Sequence, residues 1–268
     1  MMYDNQYGMR FGALSSGVVL LLFSMIGAFF IQQLFRLSGV NFVAVFSLSR
    51  FGMGRGFVWQ LVTYMFLHGD FVHIFFNLLV LFFFGPAVEQ NMGRRTFLLL
   101  FFACGVLGGL GWLVLDRTGG FCLGASAGVF GVIGAFAALN FSRPITLLLF
   151  FILPVTVKGW VMALAFGVIE LMMLTTSHFG GVAYSAHLVG LIVGFGYSVH
   201  WMRQNGLEYQ LPAWLHRTRL RVVMGGPREE SEPDIDALLD KIHREGMGSL
   251  TRRERKRLHD ASRRARGE

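Results

Sequence analysis

The run HGDFVHIFFNLLVLFFFGPAVE, residues 68–89, decides how the rest of the chain is read. Between Asp70 and Glu89 it carries no residue charged at neutral pH. Its length approaches the roughly 20 apolar residues that a helix needs to cross a bilayer. Outward from it the same pattern recurs. Arg10 and Arg36 bracket one uncharged run, Arg95 and Asp116 another, and Arg117 and Arg143 a third. Lys158 to Arg203 holds only Glu170 and is interrupted at Gly180-Gly181, which divides it in two. Six spans are therefore expected, near 14–34, 71–88, 96–115, 122–142, 158–176 and 183–202. The apolar run 145–157 is too short to cross and contains Pro154, so it is expected to lie at the interface.

Charge supports the same division. Only 15% of the 268 residues are charged, against about 25% in an ordinary soluble domain. Residues 1–202 hold 9 Lys/Arg and 5 Asp/Glu, and residues 203–268 hold 15 and 11. That distribution excludes one soluble domain, a disordered chain and a secreted disulfide scaffold. The two cysteines, Cys104 and Cys122, form no disulfide framework. The expected organisation is a cytoplasmic N-terminus at 1–13, a six-span domain at 14–202 and a basic cytoplasmic tail at 203–268. An even number of spans puts both termini on one side, and the tail's RTRLR and RRERKR runs hold that side in the cytoplasm. No cleavable signal peptide is expected, since the first apolar run is too long.

Spans 2, 4 and 6 then enter from the outer face, and each opens on polar residues. Span 2 brings His73 and Asn77, four apart on one helical face. Span 4 brings Ser126 among Gly124, Gly128 and Gly131. Span 6 brings His187 ahead of Gly190 and Gly194. These groups fall roughly 5–10 Å inside the boundary at 1.5 Å per residue. Ionisable groups at membrane depth mark a wet cavity or a partner. His187, Gly190 and Gly194 share a face, and Ala127, Gly131 and Gly134 form a smooth stripe on span 4. Small-residue faces let membrane helices meet backbone to backbone, which would bring His187 to Ser126. A serine becomes a competent nucleophile once an imidazole takes its proton. The Ser126 backbone N–H, Asn77 and His73 are candidate donors to an oxyanion.

His73-x3-Asn77, Gly124-x-Ser126 and Ala186-His187-x2-Gly190-x3-Gly194, in that order and in those spans, resemble the rhomboid family of intramembrane serine proteases. The likeness covers roughly residues 55–202. It implies an all-α, six-transmembrane-helix bundle in which Ser126 is the nucleophile, His187 the general base, and His73 and Asn77 the oxyanion donors, with no cofactor and no metal. It also implies that Phe130 packs on the catalytic imidazole, and that PAVEQNMG (86–93) forms the turn after span 2 with Glu89 as an anchor. Two positions depart from the family pattern: Ala127 follows the nucleophile where Gly is usual, and Trp59-Gln60 replaces a Trp-Arg pair. The implied partners are transmembrane protein substrates in the lipid bilayer of a bacterial inner membrane, with span 5 and the 177–184 loop as a gate.

Other chemistries fit less well. His68 and His73 are five apart and no H-E-x-x-H occurs, which argues against a zinc protease. His68 reads as a structural loop residue. Paired intramembrane aspartates are lacking, and Asp70 and Asp116 fall at boundaries. A transporter would need an internal repeat or matched broken helices. A catalytically silent rhomboid-like binding protein is the second reading, with Ala127 in its favour. Glu170, in the outer half of span 5, is open between a triad acid and an interhelical hydrogen bond. In the tail, DIDALLDKIHREGMGSL reads as a short amphipathic helix ended by Gly246 and Gly248, and Thr251-x-x-Glu254 as the capping box of a second helix. Acidic residues interleave with its basic ones, so no nucleic-acid partner is expected. A helical hairpin of this kind suits an unidentified cytoplasmic partner.

Overall fold

The computed structural model describes residues 15–39, 41–115, 120–149, 152–176, 183–207, 235–251, 254–256, 258–259 and 262. The N-terminal segment 1–13, the Asp116–Arg117 boundary, the Gly180-Gly181 break, most of the expected gate loop (177–182), and the tail from 208 to 234 lie outside the described residues. The chain divides into two compact units, Met1–His216 and Arg217–Glu268.

The first unit is mostly helical. Its helices are α1 (Ser16–Leu37), three short ones, α2 (Phe42–Phe46), α3 (Arg50–Gly54) and α4 (Gln60–Thr63), and then α5 (Phe71–Met92), α6 (Arg94–Leu115), α7 (Ser126–Leu139), α8 (Gly159–Thr176) and α9 (Tyr184–Gln204). Of these, α1, α5, α6 and α8 are long and apolar enough to cross a membrane, with mean hydropathy between 1.7 and 2.4. Their outer faces are hydrocarbon: Phe23 is 70% and Val114 76% exposed. Apolar surface this extensive is not left open to water by a soluble domain, whereas lipid accommodates it. The unit is an integral membrane bundle.

At its centre stands α7. With 14 residues it is about 21 Å long, short of the roughly 30 Å hydrocarbon layer. Eleven of those residues are buried, as expected of a helix apolar all round and enclosed by others. The α7–α9 contact is made by backbone. A methyl on Gly194 would collide with the Gly131 carbonyl, one on Gly190 with the Ala127 carbonyl, and one on Gly134 with the Leu191 carbonyl. α9 has the length of a span but turns Ser185, His187 and Ser198 into the interior.

Buried carboxylate chemistry ties α1 to α5. Glu89 accepts hydrogen bonds from the Gly17 and Val18 backbone N–H groups at 2.8 Å and from the Ser15 hydroxyl. A negative charge on the first turn of α1 satisfies donors that have no intrahelical acceptor and meets the positive end of the helix dipole.

Several expectations change in detail. The 145–157 run is a β-hairpin, with β1 (Pro144–Leu149) antiparallel to β2 (Leu153–Lys158). The fold is therefore mostly helical rather than all-α. Its β-branched residues suit extended chain, and pairing two strands satisfies backbone groups that a segment too short to span could not satisfy alone. PAVEQNMG is not a turn: α5 continues through Pro86 to Met92, and the chain turns at Gly93. Within the expected span 122–142 the helical residues run from Ser126 to Leu139. In the long loop, Gln60 takes over the packing left open by the Trp59-Gln60 pair. It is fully buried, accepting from the Ser49 N–H at 3.2 Å and donating to the Val45 carbonyl at 3.1 Å.

The second unit contains α10 (Ile235–Glu245), closed by Gly246 at φ +81. The capping box forms as the sequence predicts: the Thr251 N–H donates to Glu254 at 2.7 Å, and the Glu254 N–H donates to the Thr251 hydroxyl at 3.3 Å. Lys241 reaches the same carboxylate at 3.0 Å. The Thr251 N–H, with Lys241, holds the Glu254 carboxyl down at about 2.

Two glycines on α9 give a matched test. An Ala at Gly196 meets nothing within 4 Å, so Gly196→Ala should leave stability unchanged or raise it by up to about 1 kcal/mol through helix propensity. Gly194→Ala should destabilise by about 1–3 kcal/mol despite the same propensity gain, read as a lowered melting temperature in detergent.

Candidate active site

The position of Ser126 is set before α7 begins. Leu48 and Cys122 exchange backbone hydrogen bonds at 2.9 and 2.8 Å, and the Gly124 N–H donates to the Tyr64 carbonyl at 2.9 Å. Tyr64 is itself held by its hydroxyl, which donates to the Gly105 carbonyl at 2.6 Å. The loop between α1 and α5 thus clamps the segment that delivers the serine. Neither Leu48 nor Tyr64 carries a sequence signal for this role, because backbone pairing leaves no mark on residue type.

Gly124 sits at φ +125, a conformation that side chains disfavour. A Cβ there would also lie 2.7 Å from the His73 Nε2. The imidazole of His73 therefore packs on the backbone two residues before Ser126, within electrostatic reach of His187. Ser126 starts α7, where the first helical N–H groups lack intrahelical acceptors.

Across the α7–α9 contact, the His187 Nε2 stands 2.7 Å from the Ser126 Oγ. Phe130 stacks on the His187 ring, with centroids 4.5 Å apart and planes within 8°. Ala127, the departure after the serine, meets a compensating space: a Cβ on Gly108 would lie 2.6 Å from the Ala127 methyl. Gly128 packs against Phe101, and Gly131 against Cys104 and, across the interface, Gly190. Asn77 is buried, and its Nδ2 has no hydrogen-bond partner among the described residues. Glu170 on α8 lies 3.1 Å from the His187 Nδ1 through its Oε2, so the interhelical hydrogen bond expected of it ends on the imidazole.

His68 lies behind this group. Its backbone is tied to α1 by Gln32, which accepts from the His68 N–H at 3.0 Å and donates to its carbonyl at 2.7 Å. Its ring meets His73 edge-on at 5.1 Å. Both ring nitrogens are buried and neither makes a hydrogen bond of full geometry among the described residues, the Phe66 backbone being the polar group that reaches the ring.

A Rhomboid domain model matches residues 55–204, and a model for a family of unknown function (DUF6576) matches residues 227–264. Among curated relatives, a Bacillus subtilis (strain 168) protein named as a candidate rhomboid protease, YdcA, is 35% identical over 32% of this chain and 43% of its own length. Rhomboid-like protease 1 of Toxoplasma gondii is 28% identical over 65% of this chain and 57% of its own. Rhomboid protein 1, mitochondrial, of Saccharomyces cerevisiae (strain ATCC 204508 / S288c) is 31% identical over 54% and 42%. The chain spans about half the length of these relatives.

Burial, reinforced by the neighbouring His73, pushes the His68 imidazole down from 6.5 to about 3. The folded protein keeps it neutral while the unfolded chain protonates it, so between these values the unfolded state binds more protons and stability falls as pH falls. The melting temperature should drop from pH 7 to pH 4, and His68→Asn, neutral throughout, should show a shallower drop.

Proposed function

We propose that this chain, which belongs to the rhomboid family, is an intramembrane serine endopeptidase that cuts transmembrane or juxtamembrane segments of other membrane proteins with a Ser126–His187 dyad. The observation that carries the reading is the 2.7 Å pair between the Ser126 Oγ and the His187 Nε2, made at the start of a buried helix. Relatives named as proteases support it.

Ser126 Oγ attacks the scissile carbonyl carbon as its proton passes to the His187 Nε2. The new oxyanion takes hydrogen bonds from the Ser126 N–H, from Asn77 Nδ2 and from His73. A buried amide donor without a partner costs about 1–3 kcal/mol, and an acceptor that appears only in the transition state would remove that cost at the moment of reaction. Collapse breaks the C–N bond as His187 returns the proton to the leaving amine. Water then hydrolyses the acyl-enzyme by the same steps in reverse. Phe130 holds the imidazole plane, and Gly190, Gly194 and Gly131 hold α9 against α7 so that the two reacting groups stay in reach. Ala127 does not favour the catalytically silent alternative, since its methyl is accommodated at Gly108.

In this reading residues 14–202 are the six-span protease domain of a multi-pass protein of the bacterial inner membrane. Both termini are cytoplasmic, the dyad lies near the outer face, α8 and the 177–184 loop form the substrate gate, and the basic tail 203–268 meets an unidentified cytoplasmic partner.

Purified protein in detergent, incubated with a transmembrane substrate and separately with a fluorophosphonate probe, tests the reading. Wild type should cleave and label. Ser126→Ala and His187→Ala should lose at least about 10⁴-fold in rate, and Asn77→Ala about 10²–10³-fold. Wild type that neither cleaves nor labels, or cleavage that survives Ser126→Ala, sinks it.

A further inference from the structure

Of the four helices long and apolar enough to cross a membrane, α8 is the least enclosed, with 17% of its apolar stretch buried, yet it turns a carboxylate inward. Glu170 is 7% exposed, and its Oε2 lies 3.1 Å from the His187 Nδ1, on the side of the ring opposite the Ser126 contact. A buried carboxylate inside a membrane is costly unless it meets a compensating partner, and among the described residues the side-chain partner is the imidazole itself. One turn earlier on the same face of α8, Phe166 meets edge-on, at 6.0 Å, the Phe130 ring that covers His187. One helix face thus touches both the free nitrogen of the imidazole and the ring that holds its plane.

We propose that Glu170 is a positioning residue that extends the dyad to a Ser126–His187–Glu170 triad. The inference rests on the serine-protease reading above. A carboxylate can only accept a hydrogen bond, so it selects the tautomer with the proton on Nδ1 and leaves the Nε2 lone pair facing the Ser126 hydroxyl. When Nε2 takes the serine proton, the imidazolium stands beside a fixed negative charge. The Nδ1 proton stays on the ring throughout, and Glu170 is never protonated in the cycle. Among the described residues, Tyr184 from its own helix meets the His187 ring edge-on and His73 from α5 lies within electrostatic reach of it, and neither is a carboxylate. A contact needed for packing alone would be kept by glutamine, whose carbonyl oxygen accepts the same hydrogen bond. A contact needed for charge would not.

Glu170→Gln and Glu170→Asp, compared with wild type, separate these roles. The expected result is a Glu170→Gln protein that stays folded while its kcat and fluorophosphonate labelling rate fall by about 10²–10⁴-fold, with KM changed less than about threefold. Glu170→Asp should recover at least about tenfold of that loss, since it keeps the charge. A Glu170→Gln rate within about threefold of wild type, or a loss confined to KM, overturns the proposal. Wild type without Ser126-dependent labelling overturns both this inference and the protease reading, so the two failures are distinguishable. If Glu170→Gln does not fold, proton NMR of the Ser126→Ala protein decides. A strongly low-field His187 Nδ1–H resonance, lost in His187→Ala, is expected, and its absence overturns the proposal.

Discussion

The structure depends on how closely α7 and α9 approach. Gly131, Gly134, Gly190 and Gly194 leave no atoms between the two backbones, and His187 sits one turn beyond the last of those contacts. In a bilayer no hydrophobic effect presses helices together, so association relies on close packing and hydrogen bonds. A single methyl at this interface would push the helices apart, and Ser126 and His187 would separate with them. The packing that stabilises the bundle is therefore the same packing that makes a hydrogen bond between residues 61 positions apart in the chain.

A second constraint acts from the loop side. The serine lies at the start of a helix, where a fraying terminus would be free to move. Leu48, Tyr64 and Gly124 pin that start by backbone hydrogen bonds, while Gln60 and Gln32 bury their amides to hold the loop together. Among the described residues, Gln32, Gln60 and Thr63 carry polar side chains that would be liabilities in a membrane, and each is paired by backbone. Asn77 and His68 keep buried side-chain atoms without a hydrogen-bond partner among the described residues.

Much of this is legible in residue order. Spans of apolar residues, the glycine stripes on two helices and the polar residues at their starts are local patterns with fixed periods, so the facing stripes of α7 and α9 follow from spacing alone. The capping box at Thr251 and Glu254 is legible for the same reason. The hairpin at 144–158 is not, because a short apolar run with a proline fits interfacial coil, helix or strand until its two halves pair. Pro86 likewise marks a turn in a sequence, yet the helix runs through it, since enclosure by neighbouring helices outweighs one lost hydrogen bond.

Glu170 marks the division most clearly. By itself the sequence determined that a membrane bundle would be built and which helices could meet backbone to backbone, because both follow from hydropathy and period, and it singled out His73, Asn77, Ser126 and His187 as the polar residues to examine. Only the tertiary structure decided that Glu170 reaches the His187 Nδ1, that Ala127 has room at Gly108, and that Gln60 closes the loop. Those outcomes depend on the rotation and separation of helices distant in sequence. Side-chain contacts between such helices are set by the packing of the whole bundle, for which no local period exists.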